Sequence, residues 1–243
     1  MRAMTSFVLA GTGALLGWSQ SPELKTTRAV LERYQQALGG VDAIQKVRSE
    51  TRHGEFEGSG MRGKATFVAY ARPFQWLSKV TMPNGEQRVS GFDGRVSWTT
   101  GPKGAEINTS VPLESVRRDA DLQYPLHQPD YFTKFELAGI ADFEGHRCYW
   151  LHGTTHWGKD NNQFYDVQTG LLVGYRFQSD DKNSIPTIIV FDNYKSFGGP
   201  LVATRQTGRQ GDQRQSTTVT SVSYEPLADF LFELPATVKA LLN

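Results

Sequence analysis

From Leu24 the chain repeats apolar residues at alternating spacings of three and four, Leu24, Thr27, Leu31, Tyr34 and Leu38, which is one stripe of a helix. Ser21 and Pro22 suit the N-cap and first helical positions, and Gly39-Gly40 suits the stop. A second short helix, "VDAIQKV", follows, with Asp42 as cap and Gln45 three residues on, in the manner of a capping box. From Glu50 the period changes to two, in short runs rich in Val, Thr, Phe, Tyr and Trp. Turn residues punctuate them: Asn84-Gly85, Asp93-Gly94, Thr169-Gly170 and Gly198-Gly199-Pro200. This predicts antiparallel strands near 50–57, 62–71, 74–82, 86–92, 95–100, 134–142, 146–154, 162–167, 171–179, 186–195, 201–209 and 214–224. One stretch breaks the series. In residues 111–132 Pro112 can start a helix and Leu113, Val116 and Ala120 would share its face, so a helical insertion is expected between strands. The tail after Tyr224 carries Leu227, Phe230, Leu231 and Leu234, enough apolar surface to dock on the body.

Alternation sorts the large residues by face. Phe74, Trp76, Val80 and Met82 point one way, Val96 and Trp98 share a face, and so do Leu171, Val173, Tyr175 and Phe177. About a dozen half-buried strands make a curved surface that two or three short helices do not fill, and an unfilled concave apolar surface is a ligand cavity. The competing reading is that these aromatics are simply core.

Composition narrows the class. The first residues hold a lone Arg2, then twelve uncharged residues from Phe7 to Trp18, then Ser19, which reads as a secretory signal peptide over 1–19 followed by a single domain over 20–243. Twelve residues fall short of the roughly 20 that span a bilayer. Lys plus Arg number 26 against 25 acidic residues, a balance with no electrostatic footprint for nucleic acid or an anionic membrane. The one cysteine, Cys148, excludes an internal disulfide and reads as a small buried hydrophobe.

Motifs for catalysis fail on context. "GSGMRGKA", residues 58–65, matches most of a phosphate-binding loop, but Ala65 stands where Ser or Thr must hold magnesium, and a strand follows where a helix is needed. It reads as a hairpin turn. His146, Cys148, Trp150 and His152 fall on one strand face with His156 beyond, but neighbours on that face lie roughly 7 Å apart, and no recognised metal-ligand spacing is met. No G-x-S-x-G elbow is present, and the acid pairs Asp119/Asp121 and Asp180/Asp181 read as solvated charges. No residue is assigned a catalytic or metal role, and no cofactor is expected.

Residues 65–104, "ATFVAYARPFQWLSKVTMPNGEQRVSGFDGRVSWTTGPKG", resemble the core of the outer-membrane lipoprotein carrier (LolA-like) family, with a strand running into Arg-Pro, an aromatic, then Trp, and a later Asp-Gly hairpin before a Trp. "ALGGVDAIQKV", "DVQTGLLV" and "FLFELP" are similar to the wider set of bacterial LolA-like proteins. Ser78 and Ser90 are polar departures among the strand positions. The resemblance implies an incomplete, half-open antiparallel β-barrel, mainly β, with the N-terminal helices and the insertion covering its concave face. It implies a periplasmic, non-catalytic carrier of a hydrophobic or acylated ligand, lipoprotein among the candidates, acting as a monomer. By the same match Arg72 would latch the lid by gripping main-chain carbonyls of the insertion. Phe67, Phe74, Trp76, Val80, Met82, Val96, Trp98, Trp150, Val173, Tyr175 and Phe177 are the expected cavity wall. An interaction module for another envelope protein is the alternative, and a hydrolase built on the 146–156 histidines ranks last.

Overall fold

The structure, a computed structural model, describes residues 23–61, 63–177 and 185–242. The expected signal peptide and the Ser21-Pro22 helix start lie outside these residues. Helix α1, Thr27–Ala37, is instead capped by Thr26, whose hydroxyl accepts the Ala29 N–H at 3.1 Å. Helix α2, Val41–Lys46, begins one residue before the expected cap: Gly40 sits at the N-cap without a side-chain bond, so Asp42 lends only its charge to the first turn.

Thirteen strands follow: β1 Glu50–Gly58, β2 Ala65–Arg72, β3 Gln75–Thr81, β4 Gln87–Phe92, β5 Ser97–Gly101, β6 Gly104–Ile107, β7 Phe132–Phe143, β8 His146–Thr155, β9 Asp160–Asp166, β10 Leu172–Phe177, β11 Thr187–Ser196, β12 Leu201–Gln210 and β13 Gln213–Ser223. The four-residue β6 has no counterpart in the sequence reading, because "GAEI" is too short to show a period. All pair antiparallel in one sheet, in the order β6-β5-β4-β3-β2-β1-β13-β12-β11-β10-β9-β8-β7. The first and last strands in sequence meet in the middle, and β6 and β7 are left as the two free edges. The sheet is a half-open barrel, mainly β, and the 58–65 glycines form the β1–β2 hairpin rather than a phosphate loop.

Between the edges runs the insertion: α3 Leu113–Asp119, α4 Tyr124–His127 and a 3-10 turn Gln128–Tyr131. Pro112 stands at the N-cap of α3 rather than inside it. Val116 and Ala120 are buried against Phe92 and Trp76, while Leu113 is exposed. After β13 the chain packs a 3-10 turn, Asp229–Phe232, on β3, and a short helix α5, Ala236–Lys239, on β6. Phe232 and Val238 anchor this tail; Phe230, expected among the anchors, is 70% exposed. Among the described residues no helix is long and apolar enough to cross a membrane.

Directly opposed residues in antiparallel strands share a face. The register Glu50–Ala71–Trp76–Phe92–Ser97 marks the concave face on one side of the barrel, and Tyr175–Gln163–Leu151–Leu137 marks it on the other. Bulges at His53/Gly54, Leu137/Gly139 and Leu172/Gly174 bend the strands into this curve. The second side is filled: Val30, Leu31 and Tyr34 of α1, its C-cap Leu38 and Ile44 of α2 bury against Tyr149, Leu151, Tyr165 and Leu172. Tyr34 meets Tyr165 edge-on with centroids 5.1 Å apart, a pairing that adds about 0.5–1.5 kcal/mol to the area buried.

The β9–β10 turn is tied by one carboxylate. Asp166 Oδ1 accepts the Gln168 N–H at 2.9 Å, the Thr169 N–H at 2.7 Å and the Thr169 hydroxyl at 3.0 Å, and Oδ2 meets His146 Nδ1 at 3.2 Å. Burial alone would raise the Asp166 pKa, but the donors of Thr169, His146 and Gln168 outweigh it and hold the carboxyl below its ordinary value. Because the folded pKa is the lower one, the stabilisation is present at neutral pH and is lost as acid titrates the folded carboxyl. Asp166→Asn should therefore lower unfolding free energy by about 1–3 kcal/mol at pH 7. In urea melts the gap from wild type should close below about pH 4.

Candidate functional site: a cavity under the helical insertion

A cavity of about 520 Å³ opens where the concave face is not filled. Along β2 and β3 that face presents Ala69, Ala71 and Ser78, side chains too small to reach the helices opposite. Phe67, Trp76, Phe191 and Tyr194 wall the space, α1 contributes Tyr34 and its C-cap Leu38, and Ala120, Leu122 and Tyr124 of the insertion roof it. Gly54 matters here: a Cβ at this position would stand 2.2 Å from the Thr218 carbonyl oxygen and 2.5 Å from the Phe67 ring, so only glycine lets that ring lie across β1.

The polar groups of the wall are of two kinds. Glu50 and Arg52 point inward as a two-bond pair, Nε to Oε1 at 2.5 Å and Nη2 to Oε2 at 3.1 Å. Desolvation weakens the Arg52 charge, but the Glu50 carboxylate outweighs it and raises the guanidinium pKa. The second kind is phenolic. Tyr34, Tyr124, Tyr175, Tyr194 and Tyr224 all line the cavity, and burial pushes each above the ordinary tyrosine value, so all stay neutral hydroxyls.

The roof is fastened unevenly. Near α3 its main-chain tie is Phe74 N–H to the Ala120 carbonyl, 3.0 Å. Past α3, Gln123 donates to the carbonyls of Gln45 and Val47 at 3.0 and 3.3 Å, and Gln35 to that of Pro125 at 2.9 Å. Deepest, Gln128 is fully buried and donates to Gln163 at 3.2 Å and to the Tyr165 hydroxyl at 3.0 Å. Asp121 receives the Tyr131 hydroxyl at 2.7 Å and meets His127 Nδ1 at 2.9 Å.

Of the expected wall, Phe67, Trp76 and Tyr175 line the cavity. Phe177 shares the face of Tyr175 but lines a separate recess of about 170 Å³ with Arg118 and Asn161. Val80 shares the face of Trp76 yet lies toward the far end of β3, and Met82 follows that strand. Phe74 is in the β2–β3 turn at φ +58° and 46% exposed, and Val96 is in the turn before β5. Trp98 is on the opposite face from Trp76, because Ser97, not Trp98, opposes Phe92; its ring lies over Gly91, where a Cβ would come within 2.7 Å. Trp150 and Val173 are on the convex face, clustered with Phe143, Cys148 and Phe164. The Leu172/Gly174 bulge is the cause for Val173: it puts Leu172, not Val173, on the face of Tyr175.

The histidine face is likewise convex. His152 meets Asn162 Oδ1 at 3.1 Å and His156 the Asp130 carbonyl at 3.1 Å. Among the described residues no three His, Cys, Asp or Glu side chains are grouped to hold a metal ion.

No family model matches the chain. No curated protein matches it either. Solved structures do match in shape. A LolA superfamily protein from Nitrosomonas europaea superposes with a TM-score of 0.63 at 12% identity, over 87% of this chain and 99% of that one. A DUF1329 family protein from Desulfovibrio piger gives 0.61 at 14% identity, over 86% and 98%. A candidate outer membrane lipoprotein-sorting protein domain from Vibrio parahaemolyticus gives 0.59 at 11%, over 87% and 97%.

The chain has a LolA-type fold. Within this fold the guanidinium of Arg72 bonds Gln75 and Asp229 and lies 4.6 Å from the centre of the Phe232 ring. None of these partners belongs to the insertion. The Arg-Pro turn thus grips two covers with different groups: the Arg72 side chain holds the C-terminal tail, and the Phe74 backbone holds the roof. Sequence reasoning missed the Glu50–Arg52 pair and the tyrosines of α1 and β11. Their only signal is charge or hydroxyl on positions that the register, once known, turns inward.

Cys148 offers a check on the convex cluster. It is fully buried, and burial with the nearby Asp166 and Asp142 charges pushes its thiol up to about 12. Ellman's reagent at pH 8 should therefore leave the native protein unlabelled and modify one thiol per chain after unfolding in guanidinium.

Proposed function

We propose that this protein is a non-catalytic carrier that holds a hydrophobic ligand in the cavity between β1–β3, α1 and the insertion, in the bacterial envelope. The observation that carries this reading is the cavity itself. Its volume of about 520 Å³ falls within the roughly 300–1,000 Å³ of small-molecule sites. Its wall is built mainly of aromatic and aliphatic side chains, with Glu50, Arg52, Asp119 and Asp121 as its charged groups, and burial of acyl surface there is favourable by roughly 25 cal/mol per Å². The LolA-type fold, and a neighbour whose name refers to lipoprotein sorting, support the same class of cargo.

The uneven roof supports loading and release by one movement. The stretch carrying α3 rests on one main-chain bond, the apolar contacts of Val116 and Ala120 and the Arg118 guanidinium 5.2 Å from the centre of the Trp157 ring, whereas the stretch ending at Gln128 is locked into a buried amide-phenol network. Lifting α3 about the Gln123–Gln128 end would uncover Trp76 and the alanines beneath. Phe67, Trp76 and Tyr175 are then the ligand contacts among the residues expected from sequence.

Lipid extraction and native mass spectrometry of the purified protein should find bound lipid or uptake of a fluorescent acyl probe. Ala71→Trp, which fills the cavity from its floor, should abolish uptake while leaving the far-ultraviolet spectrum unchanged. Uptake equal to wild type in Ala71→Trp would place the ligand elsewhere.

A further inference from the structure

The cavity's charges are already spent on one another. Among the described lining residues Arg52 is the one cation, and its Nε and Nη2 are both committed to Glu50. The other ionisable groups of the wall are acids: Asp119, which accepts Arg118 Nε and Nη2 at 2.9 and 2.7 Å, and Asp121, which is held by Tyr131, His127 and the Gln123 N–H at 3.0 Å. An anionic head group entering here would meet three carboxylates and a guanidinium already neutralised. A desolvated, unpaired charge in such a place costs several kcal/mol. A cationic head group would have to displace donors that these acids already hold.

What the wall leaves open is neutral. Among the described residues the hydroxyls of Tyr34 and Tyr175 have no hydrogen-bond partner, and the Tyr224 hydroxyl is buried without one beside the Glu50–Arg52 pair. The Tyr224 hydroxyl, buried and unmet, is itself costly, and all three hydroxyls can be satisfied by a ligand that brings oxygen acceptors. Burial keeps Tyr34 and Tyr175 protonated at any physiological pH, so they remain donors.

Building on the carrier reading above, we propose that the cavity selects amphiphiles with an uncharged, oxygen-bearing polar end, such as an ester or alcohol lipid, and rejects those whose head group is an ionised carboxylate or phosphate. Glu50 is the specificity-determining residue, because it cancels the one guanidinium that would otherwise hold an anion.

The test compares 1-pyrenedecanoic acid with its methyl ester at pH 8, followed by energy transfer from tryptophan to pyrene. Wild type should bind the ester at least tenfold more tightly than the carboxylate. Glu50→Gln, which frees the Arg52 fork, should shift the ester-to-acid ratio at least tenfold toward the acid. Tyr175→Phe, which removes one donor and no packing, should weaken the ester roughly fivefold and leave the thermal midpoint unchanged. Tighter binding of the acid by wild type overturns the proposal. So does an unchanged ratio in Glu50→Gln, or, should that variant not fold, an unchanged ester affinity in Tyr175→Phe. If wild type binds neither probe and carries no lipid, it is the carrier reading that fails, and the selectivity falls with it.

Discussion

A curved antiparallel sheet that does not close has two liabilities at once, unpaired edge strands and an exposed apolar concave face. In this protein one segment answers both. The chain leaves the sheet at edge strand β6, crosses the opening as α3, α4 and the 3-10 turn, and re-enters at edge strand β7. On the way it lays Val116 and Ala120 on Trp76 and Phe92 and sinks Gln128 into the interior. The remaining exposure of the edges is blunted by local means: β6 has four residues, and β7 carries Lys134 and Glu136 paired at 2.8 Å. Everything else about the interior follows from what this crossing segment and α1 can reach.

They do not reach equally. On the β7–β10 side Tyr149, Leu151, Tyr165 and Leu172 pack against α1, whereas Ala69, Ala71 and Ser78 on the other side stop short of it. The polar Ser78 and Ser90 are cross-strand partners on that same face, and Ser90 completes its bonding with Thr99 at 3.1 Å. Of the small side chains on this face, Ala69 and Ala71 line the cavity itself. The convex face has the complementary solution. There Phe143 and Phe164 stack at 4.0 Å under the Arg176 guanidinium, a small second core with no helix above it.

The same economy governs charge. Among the described lining residues Glu50 pairs with Arg52, Asp119 with Arg118, and Asp121 accepts the Tyr131 hydroxyl, while the tyrosines around the cavity are kept neutral by burial. Electrostatics here shapes what can enter more than it stabilises the fold. A pair such as Glu50–Arg52, its carboxylate buried and its guanidinium partly exposed, gains little net free energy over an apolar replacement, so its presence is better explained by selectivity than by stability.

The amino-acid sequence alone determined the elements and their order: the α1 stripe, twelve of the thirteen strands, the turns at Gly85, Gly94, Gly170 and Gly198-Gly199, and the helical insertion. These rest on local periodicity and turn chemistry, which act over a few residues and so are written in the chain. It also sorted residues within a strand, as for His146, Cys148, Trp150 and His152, which do share a face. It did not determine which face is concave. That depends on pairing between strands far apart in sequence, and on bulges that shift parity by one, as at Leu172/Gly174, where Tyr175 turns inward and Val173 outward. For the same reason Trp76 and Trp98, alike in their local patterns, ended on opposite sides of one sheet. Arg72 found its partner 157 residues away in the tail, a contact that only the closing of β1 on β13 brings within reach.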